Sequence, residues 1–420
     1  MRPATSPRPF QAVCGELDRR RRIDLGFERI EALLSLLGHP EDDLPHVVQV
    51  VGTNGKGTTA VALAAALTEM GQPSGAYLSP HVLSYVERVL IQDSFVSEDA
   101  FATAMGNLIE GADEHGVPAT QFELLTAGAL AMFRDARISW AVLEAGLGAR
   151  HDATSTTKPE AVILTNVTLD HTQYLGETVE EIAQEKLASL RPGATLMLGT
   201  DDERVMEIVH RETERVGAKL VEFGDTNEEE ISTLGLAPYA AHDIALGFRA
   251  AEVLSGGTLP PAAKVKAARA VRGALPGRFE EYEVGGVPVV VDGGHNPEAL
   301  AATLGAVRAR YGDRPLGVVF GILQDKDAGT MLSLLGKEAR TLVLTRPVGA
   351  GDRGAEPAAL VREHEPRDAG GRRAAIFELP EAALLAAVEE VREEDGVVLV
   401  AGSFYTAASV LRSLREGGLG

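Results

Sequence analysis

Val47-Val48-Gln49-Val50-Val51-Gly52-Thr53-Asn54-Gly55-Lys56-Gly57-Thr58-Thr59 passes from an apolar run of strand type into a glycine-rich turn, and Ala60 to Leu67 continues as a helix. Glycines at 52, 55 and 57 permit backbone conformations that turn N–H groups inward, as a cradle for polyphosphate requires. The following helix points its positive end at the same place. Lys56 can reach outer phosphates, and either Thr58 or Thr59 can offer a hydroxyl to Mg²⁺. The spacing is shorter at the front than G-x-x-x-x-G-K-[ST], and a glycine separates the lysine from the hydroxyl residue. A strand-to-helix turn carrying a surface lysine is the plainer alternative. Three glycines packed around one lysine favour a nucleotide site, and with it an α/β fold.

The chain around this stretch has 420 residues, which exceeds one ordinary hydrophobic core and implies two domains. Its 45% hydrophobic and 24% charged residues are those of a globular protein. One cysteine, Cys14, allows no intramolecular disulfide and too few thiols for a zinc-finger or iron–sulfur site, which fits a cytoplasmic setting. Residues 1–10 hold arginine and proline without an apolar stretch of signal-peptide length, and no apolar run is long enough to span a bilayer. A net charge of −21 argues against nucleic acid as a partner and requires an anionic substrate to be held by local positive groups. The basic run Arg19 to Arg22 reads as a solvated face or, alternatively, a substrate clamp.

Ile30, Leu33, Leu34 and Leu37 keep a helical period that Gly38-His39-Pro40 closes. Gly75 to Leu78 is a short strand delivering Ser79-Pro80-His81 into a loop; the serine could ligate Mg²⁺, or the pair could be an ordinary turn. Phe122 to Phe133 is a helix. Trp140 to Leu143 is a buried strand ending in Glu144, a carboxylate at the edge where open α/β sheets bind ligands. A strand at 161–165 leads to Asn166-Val167-Thr168-Leu169-Asp170-His171, where the imidazole is a ligand or a structural hydrogen-bonding group. Thr178 caps a helix over 179–190, in which Lys186 by itself reads as a surface lysine. Residues 194–233 give strand, helix, strand and acidic loop. Helices at 242–254 and 262–271 precede Gly273-Ala274-Leu275-Pro276-Gly277, a break that divides the chain into 1–274 and 275–420. Strands at 278–282, 287–291, 316–320, 341–344 and 397–401 alternate with helices, one opened by Asn296 as N-cap and Pro297 as N1, and imply a second, mostly parallel sheet.

Taken in order, these stretches resemble the Mur ligase superfamily, and within it the folylpolyglutamate synthases and dihydrofolate synthases. The likeness is carried by Leu37 to Pro40, the loop Gly52 to Thr58, Ser79-Pro80-His81, Glu87-Arg88, Phe122 to Ala127, and Gly146 to Arg150 with Asp152-Ala153-Thr154. It continues through Leu169-Asp170-His171, Ile182 to Lys186, Leu275 to Arg278, Asp292 to Pro297, Asp325-Lys326-Asp327 and Gly402-Ser403-Phe404-Tyr405. It implies a P-loop-type ATPase domain with a mostly parallel sheet, followed by a smaller Rossmann-like α/β domain. It implies an ATP-dependent ligase that joins L-glutamate to dihydropteroate or a reduced folate through an acyl phosphate.

The same likeness assigns residues. Gly52, Thr53, Asn54, Gly55, Lys56, Gly57, Thr58 and Thr59 would hold ATP, with Arg278, Asp292 and His295 closing on it from the C-terminal domain. Asp243 aligns where the family tends to carry an asparagine at the adenine; an ionised Asp only accepts hydrogen bonds. Thr58, Ser79, Glu144, His171 and Lys186, the last carbamylated, would hold two Mg²⁺, and K⁺ joins the implied ions. Lys56, Glu144, His171 and Lys186 would form the catalytic set. Acceptor and amino-acid contacts fall on Ser79, Pro80, His81, Arg88, Phe122, Glu123, Asp152, Thr154, Ser403 and Tyr405. The expected protein is a monomer acting on small molecules. A Mur-type ligase for a non-folate carboxylate, and a nucleotide-binding regulator without ligase activity, are the alternatives. A dinucleotide-binding dehydrogenase is excluded because no G-x-G-x-x-G follows a strand with an acidic partner.

Overall fold

The computed structural model describes residues 8–223 and 237–418, so the acidic loop expected up to residue 233 lies outside the described residues. The chain divides into two compact units, one within Met1–Leu234 and Ala240–Leu275, the other within Gly235–Tyr239 and Pro276–Gly420.

In the first unit the described strands are β1 (His46–Val51), β2 (Ser74–Tyr77), β3 (Val89–Ile91), β4 (Ser94–Phe95), β5 (Trp140–Glu144), β6 (Ala161–Leu164), β7 (Thr195–Leu198) and β8 (Lys219–Glu222). They form one sheet in the order β4-β3-β2-β5-β1-β6-β7-β8. The six strands from β2 to β8 in that order are parallel, while β3 and β4 pair antiparallel at one edge. Strands of a parallel sheet are covered on both faces, hence the unbroken Val-, Leu- and Ile-rich runs. Gln49 is the polar exception in β1, fully buried, with its amide donating to the hydroxyls of Thr154 and Ser155 at 2.7 and 2.9 Å. The register sets Val50 beside Glu144 and Val51 beside Leu164, so the C-terminal ends of β5, β1 and β6 lie next to one another.

The helix after β1 spans Lys56–Glu69, beginning four residues earlier than its apolar run, and every residue from Gly57 to Leu67 is buried. The helix expected over 179–190 is α-helical only over Val179–Lys186 and finishes as a 3₁₀ turn at Leu187–Ser189. Its N-terminus is a capping box in which Thr178 and Glu181 satisfy each other's backbone N–H. Apolar cores fill both faces, one around Leu33, Phe101, Leu130 and Phe133, the other around Leu164, Ile182, Leu196 and Val209.

The second unit holds β9 (Glu280–Val284), β10 (Val287–Val291), β11 (Leu316–Phe320), β12 (Thr341–Thr345), β13 (Ala375–Phe377) and β14 (Val397–Ala401), ordered β13-β12-β11-β14-β10-β9. All pairings are parallel except the β9–β10 hairpin. Val291 of β10 pairs with Val400 of β14, which brings Asp292–His295 and Gly402–Tyr405 to the same edge. Asn296 caps the helix Pro297–Tyr311, accepting from Ala299 N–H at 2.9 Å.

Candidate active site

At Gly55 the backbone enters the left-handed region, φ 81°, and a Cβ there would lie 2.2 Å from Oδ1 of Asp243. At Gly52 a Cβ would lie 1.8 Å from the Thr165 hydroxyl. Both glycines therefore answer to close neighbours as well as to the turn. The loop does not turn all its N–H groups inward. Thr53 N–H donates to the Asn166 carbonyl at 3.0 Å, and Asn54 N–H to Asn166 Oδ1 at 2.9 Å. Both groups bond to the segment that follows β6. In the first turn of the helix, Gly57 and Thr58 precede any intrahelical acceptor, the arrangement that suits an anion. Of the two threonines, Thr59 donates its hydroxyl to the Asp243 carbonyl at 3.2 Å. Lys56 Nζ lies 3.1 Å from the Gly52 carbonyl and 3.0 Å from that of Thr53.

Glu144 leaves β5 beside this turn. Its Oε2 accepts the Ser79 N–H at 2.7 Å and lies 3.2 Å from where a Cβ on Gly57 would be. The carboxylate thus joins the Ser79–Pro80 loop to the first helical turn, and it is buried. Lys186 is no surface lysine. It is buried, and its Nζ donates to the Gly52 carbonyl at 2.7 Å, sharing that oxygen with Lys56. Burial, and then the neighbouring Lys56 charge, bring its pKa down from 10.5 to about 7, while Asp170, Glu185 and Asp152 pull the other way. His171 is reached through the chain: Thr168 is bonded to Thr53, and the His171 N–H donates to Asp170 Oδ1 at 2.8 Å. The Glu144 carboxylate and the Thr58 hydroxyl at this turn are hard oxygen donors of the kind that suit a divalent cation.

Several side chains expected at the acceptor make hydrogen bonds within the fold. Glu123 accepts from the N–H and hydroxyl of Thr120 at 2.8 and 2.9 Å and pairs with Arg29 at 3.0 Å. Asp152 accepts from Gly146 N–H, Leu147 N–H and both donors of Thr154, at 2.6–3.0 Å. Burial raises its pKa, and those donors oppose the rise. Thr154 is held between Asp152 and Gln49. His81, Arg88 and Phe122 do lie near Ser79. Arg88 Nε donates to His81 Nδ1 at 2.9 Å, which puts the lone pair of that imidazole on Nδ1 and its proton on Nε2. The His81 ring rests 4.0 Å from that of Tyr85, and Phe122 fills the space a Cβ on Gly146 would need.

In the second unit, the Arg278 guanidinium lies 4.0 Å from the Phe404 ring centroid, and the His295 ring is 5.4 Å from the same ring. Tyr405 approaches Gly349. Asp292, expected near ribose, has both oxygens in use: Oδ1 by Gly294 N–H and Thr303, Oδ2 by Phe279 N–H and Tyr239. Ser403 caps the helix Phe404–Arg415, accepting from Tyr405 N–H at 3.0 Å. The run Arg19–Arg22 is ion-paired locally, Arg20 with Asp113 and Arg21 with Asp18, both at 2.7 Å.

Sequence reasoning passed over Thr165 and Asn166. Their signal was two polar residues at the end of a buried parallel strand, next in the sheet to the strand that feeds the glycine turn.

A nucleotide-type loop at the centre of a parallel sheet, followed by a second α/β unit, is the arrangement that the likeness to the Mur ligases implies. The family model described as the Mur ligase middle domain matches residues 50–244, and that of the Mur ligase glutamate ligase domain matches 277–404. The dihydrofolate synthase/folylpolyglutamate synthase of Escherichia coli is 31% identical over 95% of this chain and 94% of its own. The chain belongs to the folylpolyglutamate synthase and dihydrofolate synthase family. A probable bifunctional folylpolyglutamate synthase/dihydropteroate synthase of Halobacterium salinarum is 36% identical over 91% of this chain, which spans about half (49%) of that relative. Among solved structures, the Mycobacterium tuberculosis folylpolyglutamate synthase complexed with ADP superposes with a TM-score of 0.86 at 26% identity, covering 97% of this chain and 98% of that one. The Yersinia pestis bifunctional enzyme with Mn, AMPPNP and L-glutamate bound does so with a TM-score of 0.81 at 29% identity, covering 97% and 98%.

Proposed function

We propose that this protein is an ATP-dependent ligase that forms an amide between a folate-type carboxylate, either dihydropteroate or a reduced folate, and the amine of L-glutamate. The observation that supports it most is the convergence of Lys56, Lys186 and Glu144 on one turn, Lys186 at 2.7 Å from the Gly52 carbonyl and Glu144 against Gly57. Lys56 and the first helical turn receive the terminal phosphates. Thr58, Ser79, Glu144, His171 and a carbamylated Lys186 hold two Mg²⁺, which when bound neutralise charge at the phosphates. Carbamylation begins with a neutral amine, and a lysine titrating near 7 offers one at neutral pH where an ordinary lysine does not. The acceptor carboxylate attacks the γ-phosphorus and ADP leaves; the glutamate amine then attacks the acyl carbon and phosphate leaves. Arg278 and His295 are assigned to the nucleotide and Tyr405 to the amino acid. In this reading the enzyme is a cytoplasmic monomer; among the described residues no helix is long and apolar enough to cross a membrane.

Phosphate release tests this reading. It is expected only with Mg²⁺, ATP, L-glutamate and either dihydropteroate or tetrahydrofolate together, with omission of K⁺ as a separate arm. Release with a non-folate carboxylate, and none with either folate-type acid, overturns it in favour of a different Mur-type acceptor.

A further inference from the structure

The segment following β6 grips the phosphate loop at one residue from two sides. Asn54 donates its N–H to Asn166 Oδ1 at 2.9 Å and accepts at its carbonyl from the Thr165 hydroxyl at 2.6 Å. One residue earlier, Thr53 donates its N–H to the Asn166 carbonyl at 3.0 Å, and its hydroxyl meets both the N–H and the carbonyl of Thr168 at 3.0 and 3.2 Å. Rotation of the loop about Asn54 therefore breaks bonds on both sides of that residue. Thr165 is 1% exposed, so water cannot take over its hydrogen bond. The hydroxyl occupies the volume that a side chain at Gly52 would need, which ties the first glycine of the turn to Thr165.

We propose that Thr165 and Asn166 are positioning residues for ATP, holding the Asn54 peptide so that the first turn of the helix Lys56–Glu69 is preformed to receive phosphate. The proposal rests on reading the loop as the ATP site. A loop with glycines at 52, 55 and 57 samples many backbone shapes when untethered, and each one frozen on binding costs affinity. The clamp removes that cost beforehand, since β6 is hydrogen-bonded on both sides within the sheet. The same segment runs on to His171, so the loop and the imidazole are set from one frame.

Three variants separate this role from packing. Thr165→Val keeps the shape and loses the hydroxyl, Thr165→Ser keeps the hydroxyl, and Asn166→Leu loses the side-chain acceptor. Calorimetry of ADP with Mg²⁺ reads the loop without any acceptor, and steady-state kinetics read the rest. Thr165→Val is expected to weaken ADP and raise the KM for ATP by roughly ten-fold, the effect of one buried hydrogen bond. Its kcat and its KM for L-glutamate stay near wild type, and Thr165→Ser restores ADP affinity. Unchanged ADP affinity in Thr165→Val, an equal loss in Thr165→Ser, or a parallel rise in the KM for L-glutamate overturns the proposal. Should Asn166→Leu not fold, Thr165→Val decides alone. A wild-type protein that binds ADP yet releases no phosphate with any folate-type acceptor overturns the functional reading and leaves the clamp to the ADP titration; one that binds no ADP overturns both.

Discussion

Lys186 shows how much a single buried ammonium is worth. The unfolded chain keeps its proton up to the ordinary lysine value of 10.5, whereas the folded protein releases it near 7. Between those values the unfolded state binds more protons, so this residue makes stability rise with pH across that window, and its penalty is full below about 7. In bicarbonate-free, Mg²⁺-free buffer the urea midpoint of the wild type should climb between about pH 7 and about pH 9 relative to that of Lys186→Met. Parallel midpoints would mean that Asp170 and its neighbours already neutralise the ammonium. Lys56 differs in kind, because it is half-buried and its partners are carbonyls of its own loop. Lys56→Ala should cost turnover about a thousand-fold while leaving the melting temperature within a few degrees of wild type; turnover near the wild-type rate removes the phosphate assignment.

The elements carry a different lesson, since the same carboxylate chemistry serves caps and ligands alike. Glu123 is a cap: it closes the capping box with Thr120 and neutralises Arg29. Glu123→Gln keeps an acceptor for the cap but leaves Arg29 with the exposed Asp24 as its carboxylate partner, so urea unfolding should show a loss of about 1 kcal/mol with the KM for ATP and acceptor unchanged. An acceptor KM that rises at constant stability would restore Glu123 to the substrate. Gly55→Ala meets both a left-handed backbone and the Asp243 carboxylate, and should abolish ADP binding measured by calorimetry. Most strands were legible because burial on both faces writes continuous apolar runs such as 287–291 and 397–401. Short edge strands were not: β13 is largely exposed and β4 has two residues, so neither imposes a pattern. The glycine turn was legible because its backbone chemistry is local. The partners of Asp152, Asp292, Ser403 and Lys186 were not, since sequence gives a residue's type and not whether a backbone N–H or a ligand meets it. Lys186 misleads for a further reason: a lysine at the end of an acidic helix looks solvated until the fold sets its Nζ on the Gly52 carbonyl.

For the molecule as a whole, charge sets a competition between near and far. Net charge is −21, yet the site described in the first unit places Lys56 and Lys186 around one carbonyl. Within a few ångströms those cations dominate. Farther out the acidic surface is felt only within a Debye length, about 30 Å at 10 mM salt and about 8 Å at physiological ionic strength, so at low salt an approaching anion meets its repulsion first. All three proposed substrates, ATP, a folate-type acid and L-glutamate, carry net negative charge. Repulsion from the whole surface slows their encounter at low ionic strength, and added salt screens that long-range term before it weakens contacts made at 3 Å. At fixed Mg²⁺, kcat/KM for the acceptor is therefore expected to rise several-fold from about 10 to about 150 mM NaCl, and to fall only at higher salt as the local pairs are screened. A substrate panel read at several salt concentrations measures this directly. A value that falls from the lowest concentration onward would mean that the approach is governed by the cations at the turn, and that the surplus of carboxylates lies too far from the path to be felt.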